Sequence, residues 1–278
     1  MILTELHRFD YFFFDIDGVV FENFKELPGS VELISRLQRM GKEVYFISNN
    51  CELSRTKFKE IFESIGIFPK LENLIVGAFN LALWVKTNCQ ANSKVLTLGP
   101  KGVDEELSEL GFQVIPANSL YASNVDYSHI SVDNEIKIVA VSDTGDLNYH
   151  DIAYASRCVQ LGAQIATSNY DCNWRLGRFM LPCSACTVDA LLASSGAKNF
   201  INAGKPNPIV LKNVIERDNL DISKIIVFGD TMKNDILLTK ICNVSSALVL
   251  TGVEDSESYL QYSYRPDFVF NNLLEILT

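Results

Sequence analysis

The chain has 278 residues, 47% of them hydrophobic, and a formal net charge of -10. That length and composition are enough to bury a core in one large domain or two smaller ones, which excludes a disordered chain. The acidic balance argues against a nucleic-acid surface, where clustered Lys and Arg must face phosphates, but it leaves room for a small ligand held by local positive charge.

The first residues, Met1-Ile2-Leu3-Thr4-Glu5-Leu6-His7-Arg8, place an acid early and lack a long apolar stretch with a small-residue cleavage site. A signal peptide is therefore not expected. No run reaches membrane-spanning length, so no membrane partner is expected either. Tyr11-Phe12-Phe13-Phe14 predicts a buried strand, and the aromatic run is explained by burial without a ligand box. A helix over 30–40 closed by Gly41, a strand over 43–47 and a helix opened by Ser54 and ended by Gly66 follow. The middle of the chain predicts strands over 94–98 and 137–141 and a helix over 149–161. After them come a helix beginning near Pro208, a strand over 224–228, a helix over 232–241 and strands over 246–250 and 267–270. Apolar strands alternating with amphipathic helices define an α/β class with a parallel sheet covered on both faces.

Asp15 and Asp17 follow the first strand, and in extended backbone an i, i+2 pair points both carboxylates to one side. Close acids repel unless a cation joins them, and hard oxygen ligands suit Mg²⁺. Solvated acids at a strand end are the plain alternative. A second acidic pair, in Gly229-Asp230-Thr231-Met232-Lys233-Asn234-Asp235, also follows an apolar strand; there Asp230 as a helix cap and Asp235 as surface charge are the alternative. Ser48-Asn49-Asn50 lies between a strand and a helix, where a hydroxyl and backbone N–H groups bind an anion or simply make a capped turn. Lys205, in Gly204-Lys205-Pro206-Asn207-Pro208, is either a surface lysine or a cation that neutralises phosphate and keeps a carboxylate ionised.

The seven cysteines are scattered and odd in number, which suits a reducing cytoplasm. Cys183-Ser184-Ala185-Cys186 is a CxxC pair without a second pair or Cys/His couple to complete a zinc site, so an inert reading is favoured over a redox or metal role. His7, His129 and His150 show no metal spacing.

Taken together, Asp15-Ile16-Asp17-Gly18, Ser48-Asn49-Asn50, Gly204-Lys205-Pro206 and the segment from Gly229 to Asp235 resemble, in order and separation, the four motifs of the haloacid dehalogenase superfamily. The resemblance covers nearly the whole chain. It is closest to the branch with p-nitrophenyl, phosphoglycolate and nucleotide phosphatases, and Pro28-Gly29-Ser30 and Leu250-Thr251-Gly252-Val253 look like that branch as well. It implies a Rossmann-like core from residues 1–78 and 200–278, with an α/β cap of the C2 type inserted at 79–199. It also implies a Mg²⁺-dependent phosphatase acting on a small phosphorylated metabolite. Asp15 would be the nucleophile that forms an aspartyl-phosphate, and Asp17 the acid and base. The metal would be held by the Asp15 carboxylate, the Asp17 backbone carbonyl and Asp230, with Asp235 supporting directly or through water. Ser48 and Asn49 would bind the phosphoryl oxygens, and Lys205 would neutralise charge beside them.

In the inserted segment, Ser168-Asn169-Tyr170-Asp171-Cys172-Asn173-Trp174 resembles the family's cap loop, which makes Asn169 and Asp171 the expected substrate-reading residues. A polar loop built round a structural Trp174 is the alternative. Cys183 and Cys186 stand where relatives commonly have small residues. Caps of this branch often form dimers, so a homodimer is an expectation of the resemblance. A dehalogenase, a receiver-type phospho-acceptor module and a metabolite-binding relative without turnover are the competing readings. The first needs neither the second acid nor Mg²⁺, the second is a shorter chain with its acceptor on a later strand, and the third leaves a complete motif set idle.

Overall fold

The computed structural model describes residues 4–120, 131–142, 147–176 and 178–277. His129 lies outside them. The first third of the chain gives β1 (Tyr11–Asp15), β2 (Phe21–Glu22), β3 (Lys25–Glu26), α1 (Ser30–Arg39), β4 (Glu43–Ile47), α2 (Arg55–Ser64) and β5 (Leu74–Ile75). The middle gives α3 (Gly77–Asn88), β6 (Lys94–Leu98), α4 (Lys101–Glu109), β7 (Gln113–Pro116), β8 (Ile136–Val141), α5 (Tyr149–Gln160) and β9 (Gln164–Thr167). Then come β10 (Asn173–Leu176), β11 (Phe179–Pro182), α6 (Ser184–Ser195), β12 (Ile201–Asn202) and α7 (Ile209–Asp218). The chain finishes with β13 (Ile225–Gly229), α8 (Leu237–Cys242), β14 (Ser245–Val249) and β15 (Phe268–Phe270).

Packing sorts the described residues into two units. One is drawn from Met1–Ser48, Thr56–Ile75 and Lys205–Thr278, the other from Asn49–Arg55 and Val76–Gly204. In the first unit six parallel strands run in the order β15-β14-β13-β1-β4-β5. Successive aromatic side chains of β1 face opposite sides of this sheet, as strand geometry requires. Phe13 stacks on Tyr45 at 4.5 Å and packs with Val210, Leu211 and Val214 of α7. Phe14 stacks on Phe228 at 4.7 Å, and the neighbouring Phe46 meets Phe62 of α2 at 4.3 Å. Burying each such ring stabilises the fold by about 1.5–3 kcal/mol, which accounts for the aromatic run.

β1 lies between β13 and β4, the point at which strand order reverses, and open α/β sheets bind ligands outside the carboxyl ends of strands there. Asp15 is the last residue of β1, while Ser48 and Asp230 directly follow β4 and β13.

The second unit has five parallel strands in the order β12-β9-β8-β6-β7. Its core joins Leu96, Val139 and Ile165 of the sheet to Tyr154 of α5 and Leu191 of α6. β10 and β11 pair as an antiparallel hairpin, with Asn173 opposite Pro182. The segment Asn49–Arg55 is fastened here by ion pairing and hydrogen bonding. The Arg55 guanidinium lies 3.0 Å from the buried Glu106 carboxylate, and the Ser54 hydroxyl donates to Glu105 at 2.6 Å. Among the described residues no helix is long and apolar enough to cross a membrane.

One expected element is different. In place of a single helix over 232–241, a π turn at Met232–Ile236 precedes α8. The Thr231 carbonyl accepts from both Asp235 N and Ile236 N at 3.1 Å, which widens the turn. The cause is local: Asp235 Oδ2 accepts from the Thr231 amide at 3.1 Å and from its hydroxyl at 2.6 Å. Single π turns of this kind concentrate at functional sites.

Candidate active site

β1 ends with its carboxylate inside the protein, Asp15 being only 6% exposed. The chain then leaves the strand: Val20 N and Phe21 N both donate to the Ile16 carbonyl, and Gly18 takes a left-handed φ of 82°. This corrects the expectation of two acids side by side on extended backbone, because the turn buries Asp15 and leaves Asp17 exposed. The Ser48 hydroxyl donates to Asp17 Oδ2 at 3.4 Å, so the expected acid/base and the expected phosphate-binding hydroxyl are neighbours.

Lys205 is 3% exposed and stands between two carboxylates, its Nζ 2.9 Å from Asp15 Oδ1 and 2.7 Å from Asp235 Oδ1. It is no surface lysine. Burial alone would lower its pKa, but Asp15 and Asp235 outweigh burial and hold the ammonium above its ordinary range. Asp235 has no exposed surface, which removes the surface-charge alternative, and the cap of the following turn is Thr231, not Asp230.

Asp230 is 4% exposed, and its Oδ2 accepts from Val253 N at 2.8 Å. Two glycines enclose this carboxylate. A Cβ on Gly18 would lie 2.5 Å from Asp230 Oδ2, and one on Gly252 would lie 2.0 Å away. The Thr251 hydroxyl closes the arrangement by donating to the Gly18 carbonyl at 2.6 Å.

One oxygen from each of Asp15, Asp230 and Asp235 lies within 4.8 Å of the others. Burial and then the repulsion of Asp235 raise the Asp15 pKa well above its usual range, against the pull of Lys205. The same two causes push Asp230 up to about 7. Three buried carboxylates with one ammonium leave an excess of negative charge that a divalent cation neutralises, and an all-oxygen donor set fits a hard ion. Both oxygens of Asp235 already accept hydrogen bonds, from Lys205 and Thr231, which fits the role of supporting a cation through water.

Asn49 is 8% exposed and packs within the second unit. In that unit the loop after β9 brings Asn169 and Asp171 together: Asp171 N donates to Asn169 Oδ1 at 3.0 Å. Asn169 is buried, and its Nδ2 donates to the Cys183 thiol at 3.6 Å. Trp174 is 48% exposed, so the alternative of a loop built round a structural tryptophan fails. None of the seven cysteines is in a disulfide. Cys186 Sγ donates to the Cys172 carbonyl at 3.2 Å, and among the described residues no three cysteines converge with metal-ligand spacing.

Sequence reasoning missed four supporting groups: Thr231, Thr251, Val253 N and Glu254, the last buried and accepting from Met232 N at 3.3 Å. The Leu-Thr-Gly-Val stretch after β14 was the available signal, but a backbone N–H aimed at a carboxylate leaves no mark on residue type.

A parallel sheet with a buried carboxylate ending its central strand, a lysine against it and further carboxylates beside it defines a hydrolase of the haloacid dehalogenase class. Two family models agree, one described as haloacid dehalogenase-like hydrolase over residues 12–113 and one as HAD-hydrolase-like over 202–276. The chain belongs to the haloacid dehalogenase superfamily, in the branch of the 4-nitrophenyl and phosphoglycolate phosphatases. It is 29% identical to a 4-nitrophenylphosphatase of Schizosaccharomyces pombe, over 98% of this chain and 94% of that one. It is 26% identical to a phosphoglycolate phosphatase of Arabidopsis thaliana, over 96% and 92% of the two chains. Among solved structures, a p-nitrophenyl phosphatase from Archaeoglobus fulgidus superposes with a TM-score of 0.82 at 26% identity, covering 95% of this chain and 97% of that one.

Proposed function

We propose that this protein hydrolyses a small phosphomonoester by covalent catalysis on Asp15. The observation that carries the reading is the buried pairing of Asp15 with Lys205, beside Asp230 and Asp235. A carboxylate nucleophile must remain ionised in an apolar interior and must approach a dianionic ester. The Lys205 ammonium favours the first and lowers the repulsion that opposes the second.

Asp15 attacks phosphorus as the bond to the ester oxygen breaks, and Asp17 gives that oxygen a proton. Asp17 then takes a proton from the water that attacks the aspartyl-phosphate, releasing inorganic phosphate and restoring Asp15. The position of Asp17 at the solvent side, within reach of Ser48, suits a group that exchanges protons with water and leaving group. Ser48 and Asn49 bind the phosphoryl oxygens. The Asp15 carboxylate, the Asp17 carbonyl and Asp230 would hold Mg²⁺, with Asp235 behind them. The ion supplies charge neutralisation and alignment of the phosphoryl group.

The inserted segment, placed at 79–199, reads the leaving group through Asn169 and Asp171, and the enzyme works as a cytoplasmic homodimer. Seven cysteines, none in a disulfide, support the reducing compartment. Sedimentation analysis tests the dimer. The central test is phosphate release from p-nitrophenyl phosphate and a panel of metabolite esters, with Mg²⁺ or chelator, by native protein and Asp15→Asn. Native protein is expected to release phosphate only with Mg²⁺, and Asp15→Asn to lose at least about a thousandfold. No Mg²⁺-dependent release across the panel would defeat the phosphatase reading, and activity persisting in Asp15→Asn would defeat the nucleophile.

A further inference from the structure

The segment after Ser48 is held by a buried network that the catalytic reading leaves unused. The Ser168 hydroxyl, with no exposed surface, donates to the Gly77 carbonyl at 2.7 Å and meets the Cys51 sulfur at 2.9 Å. Ser168 Oγ directs its one proton at Gly77, and the Cys51 thiol donates to the Asn49 carbonyl at 3.3 Å, so one sulfur links Asn49 to Ser168.

Steric contact tightens the same knot. A Cβ on Gly77 would lie 2.3 Å from the Asn49 carbonyl oxygen. A Cβ on Gly204 would lie 1.8 Å from the Ser168 carbonyl oxygen and 2.6 Å from Asn49 Oδ1. The peptide that leads into Lys205 therefore runs directly against Ser168 and Asn49, with no room for a methyl group. Hydrogen bonds on either side fix Ser168 itself: Ala203 N donates to the Thr167 carbonyl and the Thr167 hydroxyl to the Asn169 carbonyl, both at 2.7 Å.

We propose that Ser168 is a positioning residue for phosphoryl transfer. Its hydroxyl and carbonyl set Asn49 and the Gly204–Lys205 peptide, so the loop that carries Asn169 and Asp171 shares one anchor with the phosphate-binding groups. The inference rests on the phosphatase reading above. Misplacing a binding group by about 1 Å costs up to about a hundredfold in rate, which sets the scale of the effect.

The experiment compares native protein, Ser168→Ala, Ser168→Thr and Cys51→Ala by kcat and KM on p-nitrophenyl phosphate with Mg²⁺. Calorimetric affinity for inorganic phosphate and Tm are measured on the same samples. Ser168→Ala is expected to lose about ten- to a hundredfold in kcat and several-fold in phosphate affinity, with KM changed less than about threefold. Ser168→Thr, which keeps the hydroxyl, is expected to recover most of the loss, and Cys51→Ala to shift kcat and phosphate affinity in the same direction by about threefold. A Ser168→Ala protein with lowered Tm but native kcat and phosphate affinity overturns the proposal, as does a Ser168→Thr protein no better than the alanine. Should Ser168→Ala fail to fold, native kcat and phosphate affinity in Cys51→Ala overturn it instead. Absence of turnover in the native protein overturns the phosphatase reading together with this one, whereas native turnover with unaffected variants overturns this one alone.

Discussion

The polar residues of the two units are held in place by different physics. In the first unit, Asp15, Lys205, Asp230 and Asp235 are ionisable and buried, and lysine meets acid at 2.7–2.9 Å. In the loop after β9, Asn169 is buried but neutral, and its side chain meets an amide and a thiol at 3.0 and 3.6 Å. Buried charge is costly to leave unpaired, so the first arrangement tolerates almost no change, whereas loss of a neutral hydrogen bond costs about 1 kcal/mol. On the proposed reading, the chemistry rests on the buried charges and substrate choice on the neutral contacts.

The sharpest way to break that contrast is Lys205→Met, which keeps the stem and removes the ammonium. A loss of about a hundred- to a thousandfold in kcat is expected, together with a Tm lowered in the presence of Mg²⁺, since Asp15 and Asp235 lose their shared partner. Native kcat in this variant would mean that the buried pairing is idle. Next in size, Asn169→Ala is expected to change kcat/KM by up to about tenfold, unequally across a panel of esters. An identical change for every ester would move Asn169 from substrate reading to general loop stability.

The smallest expected effect concerns pH. In metal-free protein, burial and the neighbouring Asp235 raise Asp230 to about 7, from about 3.9 for an unperturbed aspartate. Between those limits the folded state therefore binds more protons than the unfolded chain, and this group's contribution makes metal-free stability fall as pH rises through the window. A bound cation needs the ionised carboxylate, so the rise in Tm caused by Mg²⁺ should grow from pH 5 to pH 8 and shrink in Asp230→Asn. A Mg²⁺ shift that is flat or larger at low pH would contradict the assignment of Asp230 to the metal.

Much of the first unit was legible because a parallel sheet writes itself plainly: continuous apolar runs for buried strands, with the polar residue that ends each run lying at the ligand side. Asp15, Ser48 and Asp230 were found that way. The direction of Asp17 was not, because one residue decides whether a strand continues or turns, and Gly18 signals a turn without fixing where it begins. The π turn was hidden for a similar reason, since apolar periodicity over one turn cannot separate it from an α-helix. The pairing of Asp235 with Lys205 joins residues 30 apart in sequence, and neither the residues nor the resemblance pointed to it. Least visible was the grouping of Asn49–Arg55 with the inserted unit, which depends on Glu106, Gly77 and Ser168, all remote in sequence.

That last grouping bears on how such a protein can be recombined. Cutting at 75/76 and 204/205 and grafting in another protein's insert would leave Arg55 without the Glu106 carboxylate and Cys51 without the Ser168 hydroxyl. The unit is thus not a cassette with two ends, and exchange of the insert between relatives requires the seven residues Asn49–Arg55 to travel with it.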